Sequence, residues 1–134
     1  MNSYLKWIKK AENDLKTAKD ELATENPATD TICFHAQQAV EKFLKAFLVF
    51  HNKPFRKTHN LAELLVLCSE IDEEFKNLPI EEISKLTYYA VDLRYAEEFY
   101  EPTLEEAQEA IKIAEKVKEF VLKKLKLWMM KLKK

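Results

Sequence analysis

The sequence predicts an all-α protein, an antiparallel up-and-down bundle of four to five helices. Three observations favour this class. The 134-residue chain has no glycine and only four prolines, and helical proteins need glycine least. Apolar residues recur with the helical period and nowhere alternate as in strands. Short connections join long amphipathic segments. We therefore expect roughly 70% helix or more and no sheet.

The length favours one domain over residues 1–134, with a lysine-rich helical tail at about 122–134. The first predicted helix runs from Ser3, its N-cap, to Thr24, and an Asn-Pro pair ends it. The second runs from Thr31 to His51, with Thr29 or Asp30 as its cap. Because this second helix is apolar on most sides, we expect it to be the central helix of the bundle.

Three further helices are predicted in the second half of the chain: Asn60–Ile71, Ile80–Glu98 and Thr103–Met130. Their apolar stripes face inward, and the stripes of the last two helices include Ile80 and Leu104. Thr103 and Glu106 have the spacing of a capping box, which predicts the start of the last helix.

Charge is nearly balanced overall but unevenly distributed. Residues 1–59 carry a net charge of +3, residues 60–110 carry −11 and residues 111–134 carry +7, which gives the total of −1. Segregated charge favours contacts with a partner or a second copy, whereas a general nucleic-acid binder would be strongly basic. The absence of glycine excludes both the dinucleotide-binding fingerprint and the P-loop.

The remaining composition suggests a cytoplasmic protein without a metal or cofactor. Cys33 and Cys68 lack the spacing of a metal or redox motif, so we expect buried free thiols. Charges in the first turns argue against a signal peptide, and no apolar run is long enough to span a membrane. No histidine is preceded by glutamate at the spacing of a di-iron bundle.

Candidate functional residues are polar groups that lie among apolar ones. Arg94 is one of only two arginines in a chain with 22 basic residues, and its planar fork suits phosphate in a way that lysine cannot copy. Tyr95 follows it and offers an aromatic plane. Gln38, Lys42, Lys45 and His59 complete the set. Several of them also have a structural interpretation. The aliphatic parts of Lys42 and Lys45 could cover the core while their charged ends stay in water. His59 could bind backbone groups at a helix start, and Arg94 could pair with a nearby acid.

Four segments carry a resemblance to a known family. The first is Ala11-x-x-Asp14-Leu15-x-x-Ala18, and the second is the run from Phe34 to Ala46, FHAQQAVEKFLKA. The third is Lys57-Thr58-His59-Asn60-Leu61-x-x-Leu64, and the fourth is Leu93-Arg94-Tyr95. In content, order and rough spacing, over about residues 4–125, they resemble the HEPN domain family.

The resemblance implies a helical bundle that usually dimerises. It also implies a partner, a minimal nucleotidyltransferase, in a toxin–antitoxin-like pair, and binding of nucleotide or RNA. Ribonuclease members of the family carry arginine, four to six residues and then histidine. Arg94 matches that arginine, but positions 99–101 hold Phe, Tyr and Glu, and no histidine follows. The resemblance therefore supports binding better than catalysis.

Three functional hypotheses follow. The leading one is a HEPN-like protein that binds a nucleotide or RNA phosphate through Arg94, Tyr95, Lys42, Lys45, Gln38 and His59. The second is a metal-independent RNase that works from Arg94 with Tyr95 or His59. The third is a non-catalytic helical interaction module.

The oligomeric state is predicted from aromatic residues near the end of the fourth predicted helix, which are more than a single core stripe needs. We expect a homodimer because tyrosine-rich clusters favour interfaces. The cluster comprises Tyr88, Tyr89, Tyr95, Phe99 and Tyr100.

Overall fold

The computed structural model describes residues 3–95 and 100–132, with side chains described for 3–91 and 100–132. No strand occurs among these residues. Six α-helices and one short 3-10 helix follow one another along the chain: α1 (Ser3–Leu22), α2 (Thr29–Phe50), α3 (Leu61–Ile71), the 3-10 helix (Glu73–Asn77), α4 (Ile80–Lys85), α5 (Thr87–Tyr95) and α6 (Leu104–Leu132). The predicted fold class is confirmed.

Helix α1 runs in the direction opposite to the two other long helices, α2 and α6. The hydroxyl of Tyr4, at the start of α1, donates to the sulfur of Met129 near the end of α6, and Lys19 near the end of α1 pairs with Glu115 earlier in α6. Likewise, Lys45, late in α2, lies over the Trp7 ring early in α1. Helix α1 is therefore antiparallel to both α2 and α6.

Helix α2 is the central element, as its apolar sequence predicts. It packs against α1, α3, α5 and α6. Its largest fully buried side chains include Phe43, Phe47 and Leu44. Cys33 and Cys68 are free and buried, which confirms the prediction for both thiols. Burial raises the pKa of Cys33 to about 12, so this thiol stays protonated and unreactive at neutral pH.

Predicted boundaries differ at several helix ends: α1 ends at Leu22 and not at Thr24, and Ser3, the predicted N-cap, lies within α1. Helix α2 begins at Thr29, and its N-cap is Ala28, which has no side chain able to cap. Thr29 is the first residue of the helix, and its buried hydroxyl has no hydrogen-bond partner among the described residues. The Ala28 N–H donates to the Glu21 carboxylate. The fourth predicted helix is divided at Leu86, where hydrogen bonds span three residues instead of four.

The capping box at the start of α6 forms as predicted. The Thr103 hydroxyl accepts from the Glu106 N–H, and the Glu106 carboxylate accepts from the Thr103 N–H, both at 3.0 Å. Asn60 caps α3 by accepting from the Glu63 N–H. Leu104 and Ile80 do not face the core and are 49% and 36% exposed. Each is the first residue of its helix, at the edge of the packed stripe.

His51 follows the last residue of α2 and lies inside an aromatic cage. Its ring is 4.5 Å from Phe47, 5.0 Å from Phe50 and 4.8 Å from Trp128, measured between ring centres. Its Nε2 atom is buried with no hydrogen-bond partner among the described residues. Burial lowers the pKa of His51, against a weaker opposing effect of Asp72.

We expect His51→Phe to flatten the dependence of stability on pH. The folded protein keeps this imidazole neutral, whereas the unfolded chain takes up a proton near pH 6.5. The stabilisation is therefore present above about pH 6.5 and is lost as pH falls through the lower folded pKa. Thermal melting at pH values from about 7.5 to 5.5 checks this. Parallel curves for wild type and variant would contradict it.

Candidate functional site

The predicted residues of α2 lie along one face of the helix, together with a second histidine. His35, Gln38, Lys42 and Lys45 are three or four residues apart, the spacing that places side chains one above the other. This face lies beside α1 and the connection between α2 and α3. The connection carries His59, so four of the six predicted site residues lie in one region.

Glu41 is the centre of the first polar cluster, although its side chain is only 4% exposed. Its Oε1 atom lies 2.8 Å from Nδ1 of His59. Its Oε2 atom accepts a hydrogen bond of 2.9 Å from Nζ of Lys45, whose side chain is 7% exposed. The buried carboxylate is therefore neutralised by a buried ammonium and also bound by an imidazole.

Two glutamines complete this cluster. Nε2 of Gln37 donates to Oε1 of Glu41 at 3.2 Å and to the backbone carbonyl of His59 at 3.3 Å. Nε2 of Gln38 donates to Oε1 of Gln37 at 2.6 Å. We call Gln37, Gln38, Glu41, Lys45 and His59 the Glu41 cluster. Its hydrogen bonds hold the backbone before α3 against the middle of α2.

Aromatic rings cover the buried end of Lys45. Its Nζ atom lies 5.5 Å from the ring centre of Trp7 and 5.7 Å from that of Phe55. Both rings are partly buried and pack against the core. Cation–π attraction to two rings offsets part of the cost of removing the ammonium from water.

Asp14 is the centre of a second polar cluster on the same face. Its Oδ1 atom lies 2.8 Å from Nδ1 of His35, and its Oδ2 atom accepts a hydrogen bond of 2.6 Å from Nζ of Lys42. The side chains are 12%, 27% and 21% exposed for Asp14, His35 and Lys42. We call these three residues the Asp14 cluster. Each cluster thus joins one carboxylate, one histidine and one lysine.

These contacts divide the predicted ligand residues by accessibility. Lys45 is buried and paired, which favours its structural interpretation as a core lysine. Lys42 is paired with Asp14, and its side chain is 21% exposed. His59 is paired through one ring nitrogen, and its side chain is 55% exposed. Of these three, His59 is therefore the most accessible to a ligand.

Arg94 belongs to α5, and Tyr95 is the last residue of that helix. Their side chains lie outside the described part of the structure, as do Phe99 and the rest of residues 96–99. The beginning of α5 is fixed by a tertiary contact, because the Leu61 N–H donates to the Thr87 hydroxyl at 3.0 Å. The helix that carries Arg94 therefore begins beside the segment that carries His59.

Three of the predicted interface tyrosines meet near the beginning of α6. Tyr89 and Tyr100 both donate from their hydroxyls to the Glu106 carboxylate. Hydrogen bonds from Thr103 and Tyr100 lower the pKa of Glu106. The Tyr88 ring lies 5.9 Å from Tyr89 and 6.5 Å from Tyr100. Tyr88 and Tyr100 are 38% and 42% exposed.

The described residues contain no group of three or more His, Cys, Asp or Glu side chains able to hold a metal ion. Within the same part of the chain, no helix is both long enough and apolar enough to cross a membrane.

Asp14, Trp7 and Phe55 are members of the site that sequence reasoning did not select. Glu41 was visible only as part of the family pattern, although its spacing of four from Lys45 is typical of a helical ion pair. Asp14 was likewise visible only as part of the family pattern, in its first segment. Trp7 and Phe55 gave none, because only the tertiary fold brings their rings to Lys45.

The fold and the site define a class of protein: a helical bundle whose central helix carries buried carboxylate, histidine and lysine clusters. The model of the HEPN domain family matches residues 4–125, and the chain belongs to this family. It is 34% identical to "Putative toxin MJ1304" of Methanocaldococcus jannaschii, over 86% of this chain and 83% of that protein.

Two solved structures share the fold. The crystal structure of TT1696 from Thermus thermophilus superposes with a TM-score of 0.78 at 27% identity, covering 92% of this chain and 99% of that chain. The crystal structure of ST0689, an archaeal HEPN homologue, superposes with a TM-score of 0.71 at 26% identity, covering 92% of this chain and 98% of that chain.

Proposed function

We propose that this HEPN protein binds a nucleotide or an RNA phosphate, with Arg94 as the main phosphate contact. The observation that carries the proposal is the hydrogen bond from Leu61 to Thr87, which fixes the beginning of α5 beside the His59 segment. The helix that carries Arg94 therefore begins beside the His59 segment, and Arg94 lies about two helical turns further along it. Arginine supplies two parallel donors to phosphate oxygens, and Tyr95 supplies a surface on which a base stacks.

Arg94→Ala will weaken nucleotide or RNA binding by about 1.5–3 kcal/mol, the free energy of a charge-assisted hydrogen bond, with folding unchanged. Arg94→Lys will restore little affinity because the planar fork is lost. Calorimetric titration with purine nucleotides and short RNAs measures both effects. Lys85→Ala serves as the control, since Lys85 is an exposed base at the end of α4. Equal affinity in wild type and Arg94→Ala would contradict the assignment.

The biological role that we propose is that of a toxin-like member of a two-protein system. The likeness to a protein named as a toxin supports it. Its partner would be a minimal nucleotidyltransferase, and the two free cysteines suit a cytoplasmic location. Co-expression with the neighbouring reading frame, followed by affinity purification, tests the pairing. Growth inhibition that the neighbour relieves would support the toxin role.

We also propose a homodimer that uses the tyrosine cluster at α5 and α6. Tyr88, Val91, Tyr100 and Leu104 are all large apolar or aromatic residues with substantial exposure. Light scattering at micromolar concentration will report twice the chain mass of 15.8 kDa. Tyr88→Glu with Leu104→Glu will give monomers, because two charges per copy enter the interface. Leu132→Glu, at the far end of α6, will leave the dimer intact. A monomeric wild type would contradict the proposal.

One observation favours the alternative of a non-catalytic interaction module. Lys42 and Lys45 are both paired with carboxylates, as expected if their role is structural. Calorimetry distinguishes the two functions, because a pure interaction module gives no heat with any nucleotide or RNA.

A further inference from the structure

One end of the bundle is built from two segments that carry lysine and no acid. The start of α1 and the end of α6 meet there, because the Tyr4 hydroxyl donates to the sulfur of Met129. Residues 1–11 contain three lysines and residues 120–134 contain six, and neither range holds any of the chain's 23 acidic residues. Of these lysines, Lys124 forms an ion pair with Asp72. This end is therefore basic, although the whole chain carries a net charge of −1.

Large apolar side chains are exposed at the same end. In the described part of the chain, five of the eleven exposed large apolar residues belong to these two short segments. We call them the end patch: Leu5, Leu127, Met129, Met130 and Leu132. Single exposed apolar residues are ordinary, whereas a cluster of them marks a surface that binds something.

Helical spacing places lysine on both sides of the apolar residues. Lys123, Lys126, Leu127, Met130 and Lys131 follow one another at steps of three and four residues, so they share the outer face of α6, and all five are exposed. An apolar strip between lysines is typical of a helix that lies at an interface between water and lipid.

Met129 and Leu132 prolong a different face of the same helix. They lie four and seven residues after Leu125, which is buried in the core. Leu132 is nevertheless 74% exposed. The apolar stripe of α6 therefore continues past the part that the bundle covers.

The structure holds this end of α6 in place. The Trp128 ring lies 4.8 Å from the ring of His51, and Nζ of Lys131 lies 4.8 Å from the centre of the Trp128 ring. The Tyr4 ring packs edge-on against Phe50 at 5.0 Å. The end patch is therefore already formed on a packed helix, which lowers the ordering cost of binding.

The composition of the patch favours a lipid surface over a protein. Protein interfaces are enriched in arginine and depleted in lysine, but the basic residues of the two segments are all lysine. Long lysine stems let the ammonium groups stay among lipid headgroups while neighbouring apolar side chains enter the acyl region.

We propose that this end of the bundle binds the surface of an anionic lipid bilayer. Leu127, Met130 and Leu132 enter the boundary of the acyl chains, and the surrounding lysines contact the headgroups. The protein then lies on the bilayer and does not cross it. The inference does not depend on the proposed binding of nucleotide or RNA, because it uses other residues.

The test is sedimentation of the full chain with lipid vesicles. We expect binding to vesicles that contain equal amounts of phosphatidylcholine and phosphatidylglycerol, and none to vesicles of phosphatidylcholine alone. Raising the salt concentration from about 0.1 M to about 0.5 M will weaken the binding, because salt screens the attraction between lysines and headgroups.

A first pair of variants tests the charges. Lys123→Gln with Lys126→Gln will lower the partition coefficient by roughly 30-fold, since each lysine near an anionic surface contributes about fivefold. Lys85→Gln with Lys112→Gln is the matched control and will bind as wild type does. Both control lysines are exposed, and Lys112 lies 14 residues before Lys126, about 21 Å along α6.

A second pair tests insertion. Leu127→Ser with Met130→Ser will lower the partition coefficient at least about 10-fold, because the apolar contribution to interfacial binding is lost. Val66→Ser with Ile80→Ser removes two exposed apolar side chains elsewhere and will bind as wild type does. Circular dichroism checks that each variant is folded.

Three results would overturn the proposal. Absence of binding to the phosphatidylglycerol vesicles at about 0.1 M salt would leave an acidic protein as the occupant of the patch. Equal binding by wild type and the Lys123 and Lys126 variant would remove the role of the lysines. Wild-type binding by the Leu127 and Met130 variant would show a general attraction to anions without insertion.

Discussion

Phe43→Ala will lower the free energy of unfolding by about 3–5 kcal/mol, the usual cost of removing a buried aromatic ring. Phe43 is fully buried in α2, the helix against which four others pack. Because neighbours on several sides hold the cavity open, the surrounding structure cannot collapse into it easily. Urea denaturation followed by circular dichroism measures the loss.

Val66→Ala is the control for this substitution. Val66 is also an apolar residue of a helix, but it is 57% exposed, so its truncation removes little buried surface. We expect a change within about 0.5 kcal/mol. Similar losses for the two variants would show that α2 is not the centre of the core.

Lys45→Met will destabilise the protein by about 3–5 kcal/mol, because it leaves the carboxylate of Glu41 buried without its ammonium. Adding Glu41→Gln to the same chain will recover most of that loss, since the uncompensated charge is then gone. Chemical denaturation of both single variants and the double variant forms a double-mutant cycle.

The chain offers a matched comparison for this ion pair. Lys16 and Asp20 have the same spacing of four residues within a helix, but their side chains are 74% and 64% exposed. Lys16→Met will leave stability unchanged, because water solvates the remaining carboxylate. If Lys45→Met were equally harmless, the Glu41 cluster would not depend on its ion pair.

Much of the fold could be predicted from periodicity and capping signals. The capping box of Thr103 and Glu106 is local, so sequence reasoning finds it. The division at Leu86 could not be predicted in this way. It coincides with a tertiary contact, in which Thr87 binds the backbone at the beginning of α3.

Less of the candidate site than of the fold could be predicted from the sequence. Helical spacing placed Gln38, Lys42 and Lys45 on one face, because that spacing is a local property. Their partners come from elsewhere: Asp14 lies 28 residues before Lys42, and His59 lies 18 residues after Glu41. Sequence spacing says nothing about which distant carboxylate a side chain reaches. Sequence spacing also does not show that Glu41 is buried. Burial is the reason why breaking its ion pair with Lys45 would cost stability.

The glycine-free sequence has a consequence for the unfolded chain. Among the described residues only Asn52, just after α2, has a positive φ, at 56°. The fold therefore reverses direction in its other described connections with ordinary backbone angles. Each residue that replaces glycine in a compatible conformation narrows the unfolded ensemble and stabilises the fold by about 0.4–1 kcal/mol. Part of the stability of this protein therefore arises from its unfolded state. Without glycine, the unfolded chain has fewer conformations to lose when it folds.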